Sequence, residues 1–358
     1  MNPDLIFCVS QPRSGSTLLQ HIMASHPEIH TAPEPWLMLP LAELLKEKSE
    51  VTATYNQNYA TMALHEYVDS FDEGRDILVN AIQQFANDLY GRSLRRSGKP
   101  FFLDKTPRYY FIIPELMEIF PQAKLVLLVR NPLAVFSSIL RTNMHGDWVR
   151  LFSEPDRRAD IFEGPRRMRD AITSCKDQIA VVHYEDLVTN PDSSLQSICE
   201  HIGVRFDPTM LDYGEKVNFP GTTWIDPKSI YRHSSPVTDY RDAWLDTISS
   251  HQQLTLLRGY LNSLGESLVD DLGYSFHHLH TQLDGVESRI DKSPERIVSW
   301  ATACLPQDPQ SLRTSSERAT RLAVDSGGVT GAFSAATQML KGFLSALFRP
   351  TNTNNIPL

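Results

Sequence analysis

No stretch of the 358 residues stays apolar long enough to span a bilayer, so a transmembrane protein is not expected. Cysteine is scarce. The four cysteines, Cys8, Cys175, Cys199 and Cys304, lie far apart and form no CxxC pair, which removes the usual signature of zinc binding or dithiol chemistry and leaves free thiols in a reducing compartment. There is no basic excess either: the formal net charge is −9, which argues against a general nucleic-acid binder and against a long groove for a polyanionic polysaccharide. Any basic site must therefore be local. The opening Met1-Asn2-Pro3-Asp4 carries neither the basic segment nor the apolar stretch of a secretory signal, so a cytoplasmic location is expected.

The most informative segment that is present runs from Leu5 to Leu19. Leu5-Ile6-Phe7-Cys8-Val9 is an apolar run of strand length. It breaks into Gln11-Pro12-Arg13-Ser14-Gly15-Ser16-Thr17, after which Leu18, Leu19, Ile22 and Met23 recur at helical spacing. A strand, a tight loop and a helix in that order make an anion site. The first helical turn has backbone N–H groups without partners and the positive end of the helix dipole, Gly15 permits close approach, and Arg13, Ser14, Ser16 and Thr17 add donors. The loop differs from a nucleoside-triphosphate loop of the form Gly-x-x-x-x-Gly-Lys-Ser/Thr, because Gln11 stands near its start and Ser16 replaces the lysine. No residue is then placed to reach a γ-phosphate.

Further along, strands and helices alternate. Three prolines between His26 and Trp36 predict a rigid loop beside the anion site. The stretch from Leu37 to Leu94 reads as helical, with Leu41, Leu44, Leu45, Ile77, Leu78, Ile82, Phe85 and Leu89 as apolar stripes covering one side of a sheet. Phe101-Phe102-Leu103 predicts a strand ending in Asp104-Lys105-Thr106-Pro107. A helix near Ile113 to Phe120 leads to the continuous apolar run Leu125–Val129, as expected of a strand buried on both faces. Ile179–Tyr184 is a further strand. This pattern predicts an α/β fold with a P-loop-like parallel sheet flanked by helices, and ligands at the strand C-terminal ends, where Arg13, Lys105, Arg130 and Tyr184 fall.

Thr142–Arg169, dense in charge, and Asn218–Thr238, rich in proline, glycine and serine, read as long loops or lids. The domain expectation is residues 1–274 as the functional domain and 275–358 as an extension. That extension is polar with little periodicity up to Ser326, and it ends in an amphipathic helix carrying Phe333, Leu340, Phe343, Leu344, Leu347 and Phe348.

Three motifs in order, Pro-Arg-Ser-Gly-Ser-Thr, Leu-Val-Leu-Leu-Val-Arg-Asn-Pro with Ser138 eight residues after Arg130, and Tyr184-Glu185-Asp186-Leu187, resemble the sulfotransferases that use 3′-phosphoadenosine 5′-phosphosulfate (PAPS). The resemblance covers roughly residues 4 to 274 and is nearest to the protein-tyrosine and polyketide-associated members. It implies that Arg13, Ser14, Gly15, Ser16 and Thr17 hold the 5′-phosphosulfate and that Arg130 and Ser138 hold the 3′-phosphate. A guanidinium clamp and a helix hydroxyl suit a phosphate. It further implies Tyr184 beside the nucleotide, Glu34 as general base and Lys105 at the bridging oxygen of the leaving group, with Arg13 sharing that task. No metal is expected.

Two features depart from relatives of this kind. The Arg-Lys-Gly turn of small-molecule sulfotransferases does not occur, and Ala243 precedes Trp244 where the protein-tyrosine enzymes carry a lysine. Ser234, Ser235, Arg232 and Arg241 are candidates to complete the nucleotide site. His145 is an alternative base, and His26 and His30 also lie near the motifs in sequence. The expected acceptor is a small-molecule or carrier-bound hydroxyl or amine. The alternatives are a Mg²⁺-dependent P-loop nucleotide kinase or phosphatase, and an inactive protein that keeps the fold for binding; the oligomeric state is left open.

Overall fold

The computed structural model describes residues 3–48, 56–175, 178–214 and 233–288. Its sheet has five parallel strands: β1 (Asp4–Ser10), β2 (Ile29–Thr31), β3 (Phe101–Lys105), β4 (Lys124–Val129) and β5 (Ile179–His183), in the order β2-β3-β1-β4-β5. Cys8 pairs with Lys105 on one side of β1 and with Val126 on the other. Every strand therefore delivers its C-terminal end to the same edge. From β1 the chain turns toward β2, whereas β4 leads on to β5 at the opposite border, so the connections diverge between β1 and β4. Such a divergence opens a crevice at the strand ends.

The strand residues alternate between two buried faces. On one, Ile6, Cys8, Leu103, Val126, Leu128 and Val182 join Leu19, Ile22 and Met23 of helix α1 (Ser16–Ala24). Leu187 and Val188 of the helix Tyr184–Thr189, and Leu195, Ile198 and Ile202 of the helix Pro191–Ile202, complete that core. On the other face the Phe7 ring meets the rings of Tyr90, Tyr109 and Phe120 at 6.5, 6.1 and 5.5 Å between centroids. Burial of these strands on both faces explains their unbroken apolar runs.

The described residues divide into two compact units. One takes in the described parts of Met1–Val135, Glu163–Ala243 and Asp271–Gly273, and so holds the whole sheet; the other takes in Phe136–Phe162, Trp244–Asp270 and the described residues from Tyr274 on. In the second unit the Phe136 and Phe162 rings pack on Tyr260, whose hydroxyl donates to the Ile161 carbonyl at 2.8 Å.

The structure departs from the sequence reading at several places. Ile29–Thr31 is a strand rather than loop, since it pairs in parallel with Phe101–Leu103 and Pro27 and Pro33 flank it without interrupting it, while Thr31 Oγ1 donates to the Leu103 carbonyl at 2.7 Å. Between residues 38 and 97 the chain forms helices over Met38–Ala42, Gln57–Val68 and Arg75–Ser97. Ile82, Ala86, Tyr90 and Leu94 are the buried stripe of the last of these, while Ile77, Phe85 and Leu89 face solvent. Thr142–Arg169 is mostly helical, with turns started by Asp147 as an N-cap, by Pro155 at a first helical position and by Pro165 at a second. Past Tyr274, residues Phe276–Glu287 form a helix that buries Leu279, Leu283 and Val286, an i, i+4, i+7 pattern hidden among polar neighbours. The expected helix over Phe333–Phe348 lies outside the described residues, as do Cys304, Arg232 and most of Asn218–Thr238.

Among the described cysteines, Cys8 and Cys199 are free and buried. Burial pushes their thiols up to about 12 and about 11 respectively, so both are unreactive core residues.

Candidate functional site

The loop after β1 is bent by two residues in the left-handed region, Arg13 with φ 70° and Gly15 with φ 94°. The Ser14 N–H closes the turn on the Gln11 carbonyl at 3.3 Å, and Gly15 is the N-cap of α1 without a side chain to satisfy the helix's first N–H groups. Those groups are left for a guest. Ser14 is fully buried, and its Oγ has no hydrogen-bond partner. A buried hydroxyl without a partner costs about 1–3 kcal/mol unless a ligand or water completes it, so a ligand oxygen is the natural complement. Ser16 is buried at the first turn of α1, and Thr17 follows it, half-buried.

Two segments, one after β4 and one after β5, brace this loop. Arg130, directly after β4, donates to the Arg13 carbonyl at 3.1 Å and to the Tyr240 carbonyl at 2.6 Å, and its guanidinium lies 4.1 Å from the centre of the Tyr184 ring. Tyr184 begins the helix after β5. Burial pushes its phenol up, although the Arg130 charge pulls the other way. Its ring also lies against Gly15, so the loop, the end of β4 and the end of β5 meet through one aromatic side chain. Asn131 fixes the same corner, its N–H donating to Glu185 at 3.0 Å.

A second cluster stands at the end of β3. Lys105, the last residue of that strand, is fully buried and forms a hydrogen-bonded ion pair with Oε1 of Glu34, which is itself 13% exposed. Oε2 of Glu34 accepts the Trp36 indole N–H at 3.2 Å, and Arg108 lies 5.8 Å from the centre of the Trp36 ring. Trp36 thus acts as a hydrogen-bond donor to the carboxylate. Its backbone has φ 53°, a strained conformation for a bulky residue.

Alternation along β3 turns Asp104 to the opposite face. Its Oδ2 accepts the hydroxyls of Tyr90 at 2.6 Å and Tyr109 at 2.9 Å, and its Oδ1 that of Thr106 at 2.9 Å. Tyr109 Oη in turn accepts the Met38 N–H at 3.0 Å, tying the segment just beyond Glu34 and Trp36 to the sheet. Full burial pushes the Asp104 carboxyl up to about 6, although these hydrogen bonds and the Lys105 charge oppose the shift. Gln20 supports the Glu34 loop from α1, its Nε2 donating to Thr31 Oγ1 at 2.9 Å and to the Ala32 carbonyl at 2.8 Å.

Arg13, Ser14, Gly15, Ser16, Thr17, Glu34, Lys105, Arg130 and Tyr184 are therefore all carried at the C-terminal edge of the sheet in the first unit. Ser138 lies half-buried in the second unit on the helix Pro132–Met144, which begins two residues after Arg130. Ser234 belongs to the first unit and uses its carbonyl to accept the Tyr213 and Gly214 N–H groups at 3.0 and 3.2 Å. A Cβ on Gly214 would fall 2.6 Å from the Ser234 Cα, so glycine is needed for this approach. Tyr213 Oη donates to the Ser235 carbonyl at 3.2 Å. Arg241 pairs with its neighbour Asp242 at 2.6 Å.

His26 is a structural residue: Nε2 contacts the Arg205 carbonyl at 2.9 Å and Nδ1 accepts the Glu28 N–H at 3.1 Å. His30 is held below its usual value by burial, its ring against Phe102. His145 is exposed in the second unit. Sequence reasoning missed Asp104, Gln20, Tyr240 and the donor role of Trp36. Only Asp104, polar at the end of an apolar strand, carried a signal that could have found it.

A parallel α/β sheet whose first loop presents the opening N–H groups of α1 and a buried hydroxyl, without the lysine of a triphosphate loop, has the geometry suited to a phosphate-type anion. The chain belongs to the sulfotransferase family, whose model matches residues 3–208. It is 26% identical over 317 residues to nodulation protein NoeE of Sinorhizobium fredii, covering 82% of this chain and 71% of that protein. It is 21% identical over 216 residues to a putative protein-tyrosine sulfotransferase of Caenorhabditis briggsae, covering 60% and 70%. The sulfotransferase domain from the curacin biosynthetic pathway shares the fold, with a TM-score of 0.50 at 20% identity over 76% of this chain and 98% of that domain.

Proposed function

We propose that the protein transfers the sulfuryl group of PAPS to a hydroxyl, or an amine, of a small-molecule or carrier-bound acceptor in the cytoplasm, without a metal ion. The observation that carries this reading is the buried, unpartnered Ser14 Oγ in a loop that also turns the first N–H groups of α1 outward. That cradle suits a compact oxyanion, and PAPS supplies an activated sulfuryl group on a 5′-phosphate.

In this reading Arg13, Ser14, Gly15, Ser16 and Thr17 hold the 5′-phosphosulfate. Arg130 and Ser138 hold the 3′-phosphate, Tyr184 lines the nucleotide site and Ser234 completes it. Lys105 supplies positive charge to the leaving phosphate from a fully buried position, where a fixed charge acts more strongly than in water. Glu34 takes the proton from the acceptor. The two groups are already paired, so the base and the leaving-group cation are positioned against each other before any acceptor arrives. Gln20 and the Asp104–Tyr109–Met38 chain hold the Glu34 segment in place.

The name of the C. briggsae relative points to a phenolic hydroxyl as its acceptor, which supports a hydroxyl here. The acidic net charge of −9 favours a small or carrier-bound acceptor over a polyanionic polymer. Incubation with labelled-sulfate PAPS and fractionated metabolite pools tests the reading. A labelled product that requires Lys105 supports it, and its absence with every pool, alongside turnover of ATP and Mg²⁺, overturns it.

A further inference from the structure

The second unit contains a cavity of about 480 Å³, within the roughly 300–1,000 Å³ range of small-molecule sites. Its walls are two-sided. Phe136 and Leu140 on the helix Pro132–Met144, with Ile248, Leu256 and Leu257 from the chain segment opposite, make the apolar side. Ser137 and Arg141 stand four residues apart on the same helix, hence on one face of it, and His145 follows just past its end. Gln253 completes the polar side.

These polar groups have donor capacity to spare. Among the described residues, Ser137, Arg141 and His145 make no side-chain hydrogen bond or ion pair. Gln253 uses only its Oε1, which accepts from the Ser249 N–H at 2.8 Å and from the Ser249 hydroxyl at 3.1 Å. Its amide nitrogen is left over. No aspartate or glutamate lines the cavity. The chain is also strained at this rim, with His145 at φ 53° followed by Gly146 at φ 84°, and the Gly146 N–H bonded to the Leu140 carbonyl at 2.9 Å. Non-glycine residues held in this region cluster at ligand sites.

From this we infer that the cavity binds an anionic amphiphile, with an aliphatic or aromatic body against Phe136, Leu140, Leu256 and Leu257 and a single oxyanion head on Arg141, His145 and Gln253. The cavity lining shares no residue with the sulfuryl-transfer assignment above and does not depend on it. A carboxylate and a sulfate ester present the same chemistry to it, and parallel probes separate them.

Calorimetric titration of the full chain with decanoate, decyl sulfate, decanol and decyltrimethylammonium tests the inference. Saturable binding of one or both anions is expected, with Arg141→Gln weakening it by about tenfold or more, the loss typical of a hydrogen bond to a charged group, and decanol affinity little changed. Filling the apolar side by Leu256→Trp is expected to abolish binding of every probe. Should that variant fail to fold, Leu140→Phe fills the same side from a half-buried helix position, and the melting curve of each variant reports its integrity. Equal affinity for the cationic probe, binding unaffected by Arg141→Gln and by the filling variant, or no saturable binding of either anion would each overturn the inference.

Discussion

The ring of Tyr184 occupies the space that a side chain on Gly15 would need: a Cβ there would lie 2.5 Å from its Cδ2 and 2.6 Å from its Cε2. Gly15 also has φ 94°, a conformation that costs an L-residue roughly 1–2 kcal/mol even in open space. Gly15→Ala should therefore lower stability by more than that strain alone, and should abolish nucleotide binding by displacing the loop. Tyr184→Ala in the Gly15→Ala background should recover part of the lost stability, because it removes the clash while leaving the strain. A double-mutant cycle by urea denaturation checks this; strictly additive losses would show that the two residues do not meet.

The pairing of Glu34 with Lys105 makes a distinct prediction for catalysis. Glu34→Gln keeps the shape and one acceptor oxygen, gives up the other acceptor because its amide nitrogen can only donate, and removes the proton acceptor. Turnover should fall about 10²–10⁴-fold, the range for a lost general base, with donor affinity little changed. Single-turnover transfer to an acceptor found in the labelled screen measures it. Full activity in Glu34→Gln would remove Glu34 from the base role.

Asp104 provides a pH signature. Its carboxyl is pushed up to about 6 in the folded chain from an ordinary value of 3.8, so the folded state holds the proton more tightly than the unfolded one. The resulting stabilisation is fully present below about pH 4 and is lost as the pH rises through about 6, a change on the order of 3 kcal/mol. The stability of the parent protein relative to Asp104→Asn should decline across that window and level off above pH 7. Chemical denaturation of both proteins at a series of pH values follows it, since all other titrations are common to the pair and cancel. A difference that does not vary with pH would contradict the buried, tyrosine-bonded carboxyl.

Much of this arrangement was legible in the sequence because the sheet is buried on both faces. The apolar runs of β1, β4 and β5 end abruptly at Arg13's loop, Arg130 and Tyr184, so the edge carrying the site could be read from where hydrophobicity stops. The three-residue strand β2 was not legible: Pro33 and Pro35 dominate its surroundings, and its pairing rests on contacts with β3 that are distant in sequence. Apolar spacing misled on the long helix Arg75–Ser97, where Phe85 and Leu89 are exposed and Tyr90 is buried because its hydroxyl reaches Asp104. Likewise Trp36 reads as an apolar neighbour of Glu34, and only the fold shows its indole N–H on the carboxylate.

The most direct test of the central claim needs no acceptor: titration of the protein with 3′,5′-bisphosphoadenosine in the presence of a chelator. Tight binding is predicted without metal, and weaker binding in Arg130→Ala, which forfeits charge-assisted hydrogen bonds worth about 1.5–3 kcal/mol, or roughly ten- to a hundredfold in affinity. Absence of bisphosphate binding, together with Mg²⁺-dependent binding of ATP, would contradict the account.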